Sequence, residues 1–263
     1  MSKIRLGGMA LSNGVVVHGP TAWAAAVRTD TGEIKVAAAR KRVLARRIQQ
    51  PFLRGPLRLL EGFAFLPELR RKLPEARLPF ERPAVLAATI ASAVTVQVVR
   101  RTPNLGEAAR ELLAGALSLT PALMALRGGE LASYHGAEHV TIGTYEHDEP
   151  RARVHERCGS HLIGPLLAAS GAANVLAARA PAHLRGAARV AGAVGAVGTA
   201  VEVFGWMTRN PKHPLSRALA RPGHELQQRL ATAEPSPEQL EVAEAALAAC
   251  LKLEAEDGDP AAR

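Results

Sequence analysis

Short runs of Val and Ala open the chain. GVVVHGP, TAWAAAVRT and EIKVAAAR, between residues 14 and 40, are each flanked by Gly, Pro or Asp, the pattern of strands between turns. Asp30-Thr31-Gly32 between the second and third runs suits a hairpin, so a small antiparallel sheet of two or three strands is expected. From Arg40 the pattern becomes basic and helical. Pro51, Pro56, Pro67, Pro74, Pro79 and Pro83 then cut it into short pieces, because proline lacks the N–H that a helix interior needs. Within them LRLLEGFAFLPELRRKL sets Leu57, Leu60 and Phe63 on one helical face beside Arg54 and Arg58. That amphipathic stretch suits an interfacial helix or an ordinary packed one.

Four apolar stretches follow, at 84–99, 112–126, 162–178 and 190–207. Their 15 to 18 residues sit at the lower edge of what a bilayer-spanning helix needs, and they are rich in weakly hydrophobic Ala and Gly. Membrane insertion is the expectation, with a soluble α-bundle carrying a histidine-rich loop as its rival. Gly192, Gly195 and Gly198 let helix backbones approach closely in either solvent, and a homo-oligomer is compatible with both. Near the end, Ser236-Pro237-Glu238-Gln239 reads as an N-cap, a proline at the first helical position and a Gln able to close a capping box. Leu240, Ala243, Leu247, Cys250 and Leu251 form the apolar stripe of that helix, which leaves Glu241, Glu244 and Glu254 outside. The predicted fold is mainly α: an α-helical membrane protein with a small N-terminal antiparallel β-element and a C-terminal amphipathic helix. Its expected parts are 1–50 (β-element and basic segment), 51–233 (membrane-embedded helices with the candidate site) and 234–263 (amphipathic helix and acidic tail).

Composition narrows the setting. Only Cys158 and Cys250 are present, which excludes a disulfide-stapled secreted domain and favours a reducing compartment. MSKIRLGGMALSNGVVVHG has no apolar run long enough for a cleaved export signal. The net charge of +9 is concentrated early, with 16 Lys and Arg against 6 Asp and Glu in residues 1–83. RKRVLARRIQQ holds no aromatic side chain, whereas a binder of single-stranded nucleic acid interleaves basic and stacking residues. Anionic membrane lipid is therefore the expected partner and nucleic acid is not. The charge rule then predicts a cell inner-membrane protein whose basic N-terminal part, and with it the 127–161 loop, faces the cytoplasm.

The candidate chemistry lies in YHGAEHVTIGTYEHDEPRARVHERCGSH, 28 residues holding five of the nine histidines and both tyrosines. His135-Gly136-Ala137-Glu138-His139 has the form H-x-x-E-H. On a helix these positions fall within about 100° of one another, so two imidazoles and a carboxylate share a face. Two histidines four apart can hold one metal ion, most naturally zinc, while Glu138 takes a proton from the water the metal holds. A catalytic zinc needs a third protein ligand, and two sources compete. Glu202 is isolated in the Gly/Ala/Val run 190–207, where a bare carboxylate is expensive. His155-Glu156-Arg157-Cys158 offers an imidazole and a soft thiolate. If His155 and Cys158 both join His135 and His139, the site closes with four ligands and is structural. Tyr145 and Glu146 are candidates for orienting the imidazoles. His147 is expected in solvent, His161 at a helix cap or headgroup, and His18, His183, His213 and His224 at the surface.

Over nearly its whole length the chain resembles the bacterial YqhQ-like family. The resemblance is carried by GGMALSNGVVVHGP, WAAAVRTDTGEI, PFLRGPLRLLEG, YHGAEHVTIGTYE, HERCGS, VEVFGW and PGHELQQRLATAEPSPEQLEVAEAAL, in that order. It implies a membrane setting and a metal-dependent enzyme of undefined substrate, and it matches His135, Glu138, His139, Tyr145, Glu146, His155, Cys158 and Glu202. The chain departs from the family pattern at His18, where Arg is more usual, and at Val140, where Lys is common. The expected function is metal-assisted hydrolysis with His135, His139 and Glu202 as ligands and Glu138 as base. The alternative is a non-catalytic membrane protein with a structural zinc on His135, His139, His155 and Cys158.

Overall fold

A computed structural model describes residues 3–41, 50, 54–126 and 129–257. The N-terminal part is an antiparallel meander of β1 Gly7–Leu11, β2 Gly14–His18, β3 Ala22–Arg28 and β4 Ile34–Arg40, neighbours in sequence being neighbours in the sheet. The last three strands are the Val/Ala runs. GGMAL adds a fourth, joined to β2 by a Ser12-Asn13 turn that pairs Leu11 with Gly14. Its two glycines carry almost no strand propensity, so only the pairing makes it a strand. The Asn13 side chain pins the turn, donating to the carbonyls of Arg28 (3.1 Å) and Glu75 (3.0 Å) and accepting from the Arg77 N–H (3.0 Å).

Both faces of the sheet are covered. Ala10, Val15, Val17, Ala24 and Ala26 meet α6 (Glu130–His147) and α10 (Pro237–Asp257) through Tyr134, Ala137, Ile142, Val242, Ala246 and Cys250. Leu11, Val16, Trp23, Ala25 and Val27 meet α2 (Leu66–Lys72) and its flanks through Phe65, Leu69, Leu73 and Leu78. A strand buried on both sides reads as an unbroken apolar run, which explains VVV and AWAAAV. The β-element and the C-terminal helix thus share one core.

The start of α10 is the expected capping box: the Ser236 N–H donates to Gln239 Oε1 (3.0 Å) and the Gln239 N–H to Ser236 Oγ (3.4 Å). Glu254, expected outside, is instead 7% exposed. Its carboxylate accepts the N–H of Thr21 (2.8 Å), the N–H of Ala22 (2.7 Å) and the Thr21 hydroxyl (2.8 Å). The start of β3 presents buried donors that need an acceptor, a demand that helical periodicity cannot register.

His18 is also not a free surface residue. Lys41 Nζ donates to its Nδ1 at 2.8 Å, and burial, reinforced by the Lys41 charge, lowers the imidazole from 6.5 to about 4. Between these values the unfolded chain binds the extra proton. The resulting stability is therefore complete above about pH 6.5 and is lost as pH falls toward 4, by at most about 3 kcal/mol. Thermal melts of wild type should drop through this window and those of His18→Asn should drop less; identical slopes would show that His18 is not responsible.

Three helical runs among the described residues are long and apolar enough to cross a membrane: Pro83–Arg101, Gly159–Ala178 and Ala182–Arg209. They correspond to α3 (Pro83–Arg101), to a 3-10 turn Gly159–Leu162 followed by α7 (Ile163–Ala178), and to α8 (Arg185–Arg209) with the short turn before it. Leu86, Ile90, Val94, Leu167, Leu176, Val190 and Val194 point outward from them, an apolar surface that suits lipid. The stretch 112–126 is not one rod. It divides at Leu119 between α4 (Glu107–Ser118) and α5 (Thr120–Leu126), where Pro121 lacks the N–H that a continuous helix would give to the Leu117 carbonyl, and the Ser92 hydroxyl donates to that carbonyl instead (2.7 Å). The α4–α5 segment then meets α6 at 86°, so any fourth crossing is a bent one. α1 (Arg54–Ala64) packs on α8, with Gly55 against Val201. α9 (Pro214–Leu226) closes the bundle against α7, where Gly164 faces the Leu219 carbonyl.

Candidate metal centre

α6 carries H-x-x-E-H on its inner side, with Gly136, Ala137, Glu138 and His139 buried. Helical spacing brings the His135 and His139 rings to 4.4 Å between centroids. Each ring is oriented through a main-chain carbonyl: His135 Nδ1–H donates to Ala231 (2.8 Å) and His139 Nδ1–H to Arg153 (2.7 Å). Such bonds fix the tautomer and leave both Nε2 lone pairs for a ligand. Cys158 Sγ lies 3.6 Å from His135 Nε2, and the donor atoms of His135, His139 and Cys158 all fall within 4.8 Å of one another. Tetrahedral zinc, with Zn–N near 2.0 Å and Zn–S near 2.3 Å, holds its donors about 3.5 Å apart, so the His135–Cys158 spacing already fits. Glu138 Oε2 sits 3.6 Å from His139 Nε2 and 3.8 Å from His135 Nε2.

Three pieces of chain build this geometry. Asp148, in the left-handed region at φ 59°, ends α6 and turns the chain back so that residues 149–158 return along the helix. Glu146 holds that return through His155 Nε2 (3.2 Å) and the Arg157 guanidinium. Gln227, wholly buried, accepts the His155 N–H (2.9 Å) and donates to the His155 carbonyl (3.3 Å) and Ser160 Oγ (2.8 Å), which brackets Cys158 on both sides. The third piece is a π-turn, Gln227–Ala231, a widened turn often found at functional sites. It delivers the Ala231 carbonyl to His135, and the Ala233 N–H then bonds the Ala132 carbonyl at 2.9 Å. Gly136 makes this approach feasible, since a Cβ there would collide with the Ala233 carbonyl oxygen. Arg153 ties the return segment to the same strip through Thr232 Oγ1 (2.9 Å) and Glu234 (3.1 Å).

Burial lowers the His139 imidazole and so favours its neutral, ligating form. Burial raises the Glu138 carboxyl, against the pull of His135 and His155, and with that its affinity for a proton. Glu146 goes the other way: burial pushes it up, but His155 and Arg157 hold it below the usual carboxylate range.

Of the residues singled out from the sequence, His135, Glu138, His139 and Cys158 come together. Glu202, expected as the third ligand, is not among the grouped donors, which are His135, His139 and Cys158. The Glu202 helix, α8, packs along α7 and α1 and also touches the Gly159–Leu162 turn. His155 is also outside the group: its ring lies 5.6 Å from His139 and its Nε2 faces Glu146. The Tyr145 carbonyl accepts from Lys3, whose Nζ lies 5.2 Å from the centroid of the Tyr145 ring. His147 is exposed as expected. His161 lies in the 3-10 turn that leads into α7, as a cap position would, and is buried at 4% exposure beside Gln227. Gln227, Arg153 and Gly136 were not singled out, and only the glycine inside H-x-x-E-H offered a signal.

Residues 130–253, from the start of α6 into α10, match the family described as protein of unknown function (DUF1385). The chain is 34% identical over 147 residues to the "Uncharacterized protein YqhQ" of Bacillus subtilis (strain 168), a match covering 53% of this chain and 44% of that protein. It thus spans less than half the length of that relative. No solved structure matches. Over residues 130–253, the region that builds the donor group, the chain is similar to the YqhQ-like DUF1385 family.

Proposed function

We propose that the protein is a membrane-embedded metal-dependent hydrolase in which His135, His139 and Cys158 hold a divalent ion and Glu138 is the general base. One observation carries the reading: two imidazole Nε2 atoms, each freed by an Nδ1–H bond to a carbonyl, converge with a thiol beside a buried carboxylate. Two neutral nitrogens and a soft sulfur suit zinc, which when bound supplies Lewis acidity to a substrate oxygen. The protein's own part is positional. The Ala231 and Arg153 carbonyls keep the rings from turning. Glu138 accepts a proton from the attacking water and returns it to the leaving group. Gly8 of β1 gives the Glu138 side chain its space, since a Cβ there would collide with it. The three apolar helices and the excess of Lys and Arg in residues 1–83 support an inner-membrane setting with the centre on the cytoplasmic side.

The placement of Glu138 Oε2 within 4 Å of both imidazole nitrogens favours a second reading, in which Glu138 is a fourth ligand and the ion is structural. Glu138→Gln separates the two. As base, the variant keeps its metal and loses hydrolysis across a panel of ester and amide substrates, by about 100-fold or more. Loss of metal from Glu138→Gln establishes the structural reading, and retention of both metal and activity removes Glu138 from the mechanism.

A further inference from the structure

At the end of α7 remote from Cys158, four helices meet around a carboxylate. Glu111 of α4 accepts from Asn174 of α7 (3.0 Å) and Arg100 of α3 (3.4 Å), with Arg189 of α8 at 3.9 Å. Arg110, one residue before it, donates to the Arg100 carbonyl at 3.5 Å. Two guanidiniums therefore contact one carboxylate and a third belongs to the adjacent residue, and the Nε atoms of Arg100 and Arg110 are buried without a hydrogen-bond partner among the described residues. Buried donors left unpaired imply a group that the chain itself does not supply. One or two residues along the same helices, Val98, Leu113, Val175 and Val190 are exposed and apolar.

We infer that this collar binds the phosphate of an anionic phospholipid, with the acyl chains lying on the exposed valine and leucine side chains. Charge complementarity selects the headgroup, since among the described side chains of the collar the guanidiniums outnumber the carboxylate, and Arg is suited to bidentate phosphate contact. Basic recesses between membrane helices bind anionic headgroups in the same way. The apolar flank selects a lipid over a free anion. The inference rests on the membrane reading proposed above and is independent of the metal.

The test is native mass spectrometry of the full chain in mild detergent with equimolar phosphatidylglycerol and phosphatidylcholine. Wild type is expected to retain phosphatidylglycerol about five-fold or more over phosphatidylcholine. Arg110→Gln combined with Arg189→Gln should abolish the preference. Glu111→Gln, which removes the competing carboxylate, should raise it, an outcome that general loosening of the bundle cannot produce. Equal retention of the two lipids by wild type, or a preference unmoved by the variants, overturns the site while leaving membrane insertion intact. Release of the protein from membranes by alkaline carbonate overturns the membrane reading itself.

Discussion

His139→Ala is expected to strip the metal from the purified protein, taking its content from near stoichiometric to background by elemental analysis. His139 is the most buried member of the donor group, 2% exposed, and its ring is anchored to the return segment through Arg153. Without it, His135 and Cys158 remain as two donors from different segments, too few for tetrahedral zinc. Because a site that exists only in the folded state contributes its binding energy to folding, the same variant should melt earlier than wild type, and added zinc should raise the wild-type midpoint but not the variant's. Cys158→Ser is expected to weaken binding as well, since a hydroxyl replaces the soft thiolate. Full metal retention by His139→Ala would end the assignment.

Gly136→Ala should be comparably damaging although it removes no polar atom. The added methyl group meets the Ala233 carbonyl, which is backbone and has no rotamer into which it can withdraw. The segment after the π-turn must lift off α6, breaking the Ala233–Ala132 bond and taking the Ala231 carbonyl from His135. A destabilisation of about 3 kcal/mol is expected, accompanied by loss of metal affinity. Gly143→Ala, two helical turns along the same face, provides the contrast. Its Cβ would lie 3.1 Å from Arg151 Cβ, a tight contact that the exposed return segment relieves by a shift of a few tenths of an ångström, so the losses of thermal midpoint and metal content should be much smaller. Equal effects of the two substitutions would mean that the approach of residue 233 is unimportant.

What could be read from the chain alone follows from which signals are local. β2 and β3 were visible because burial on both faces demands unbroken Val and Ala, β4 because a Val/Ala run follows the Thr31-Gly32 turn, and the α10 cap because Ser236, Pro237 and Gln239 act within one turn. β1 was not, because its strand character comes from pairing with β2 rather than from Gly7 and Gly8. Glu254 looked solvent-facing for a related reason, its partners being amides 232 and 233 residues away. In the site, His135, Glu138 and His139 announced themselves through helical spacing. That Cys158 rather than Glu202 lies with the two histidines depends on the non-helical segment after Asp148 returning along α6, which has no local signature. The cost of a lone carboxylate argues that Glu202 needs a partner, but not which one. The groups that aim the imidazoles are main-chain carbonyls, which have no side-chain signature.

Cys158 is the residue before the 3-10 turn that runs into α7. Whatever holds its sulfur therefore also sets the point at which that helix departs from the sheet and α6, so a bond to sulfur works as a latch between two parts of the molecule that meet different surroundings. Loosening the latch, by chelation or by chemistry at the thiol, would free the angle between them before it disturbed the core of either.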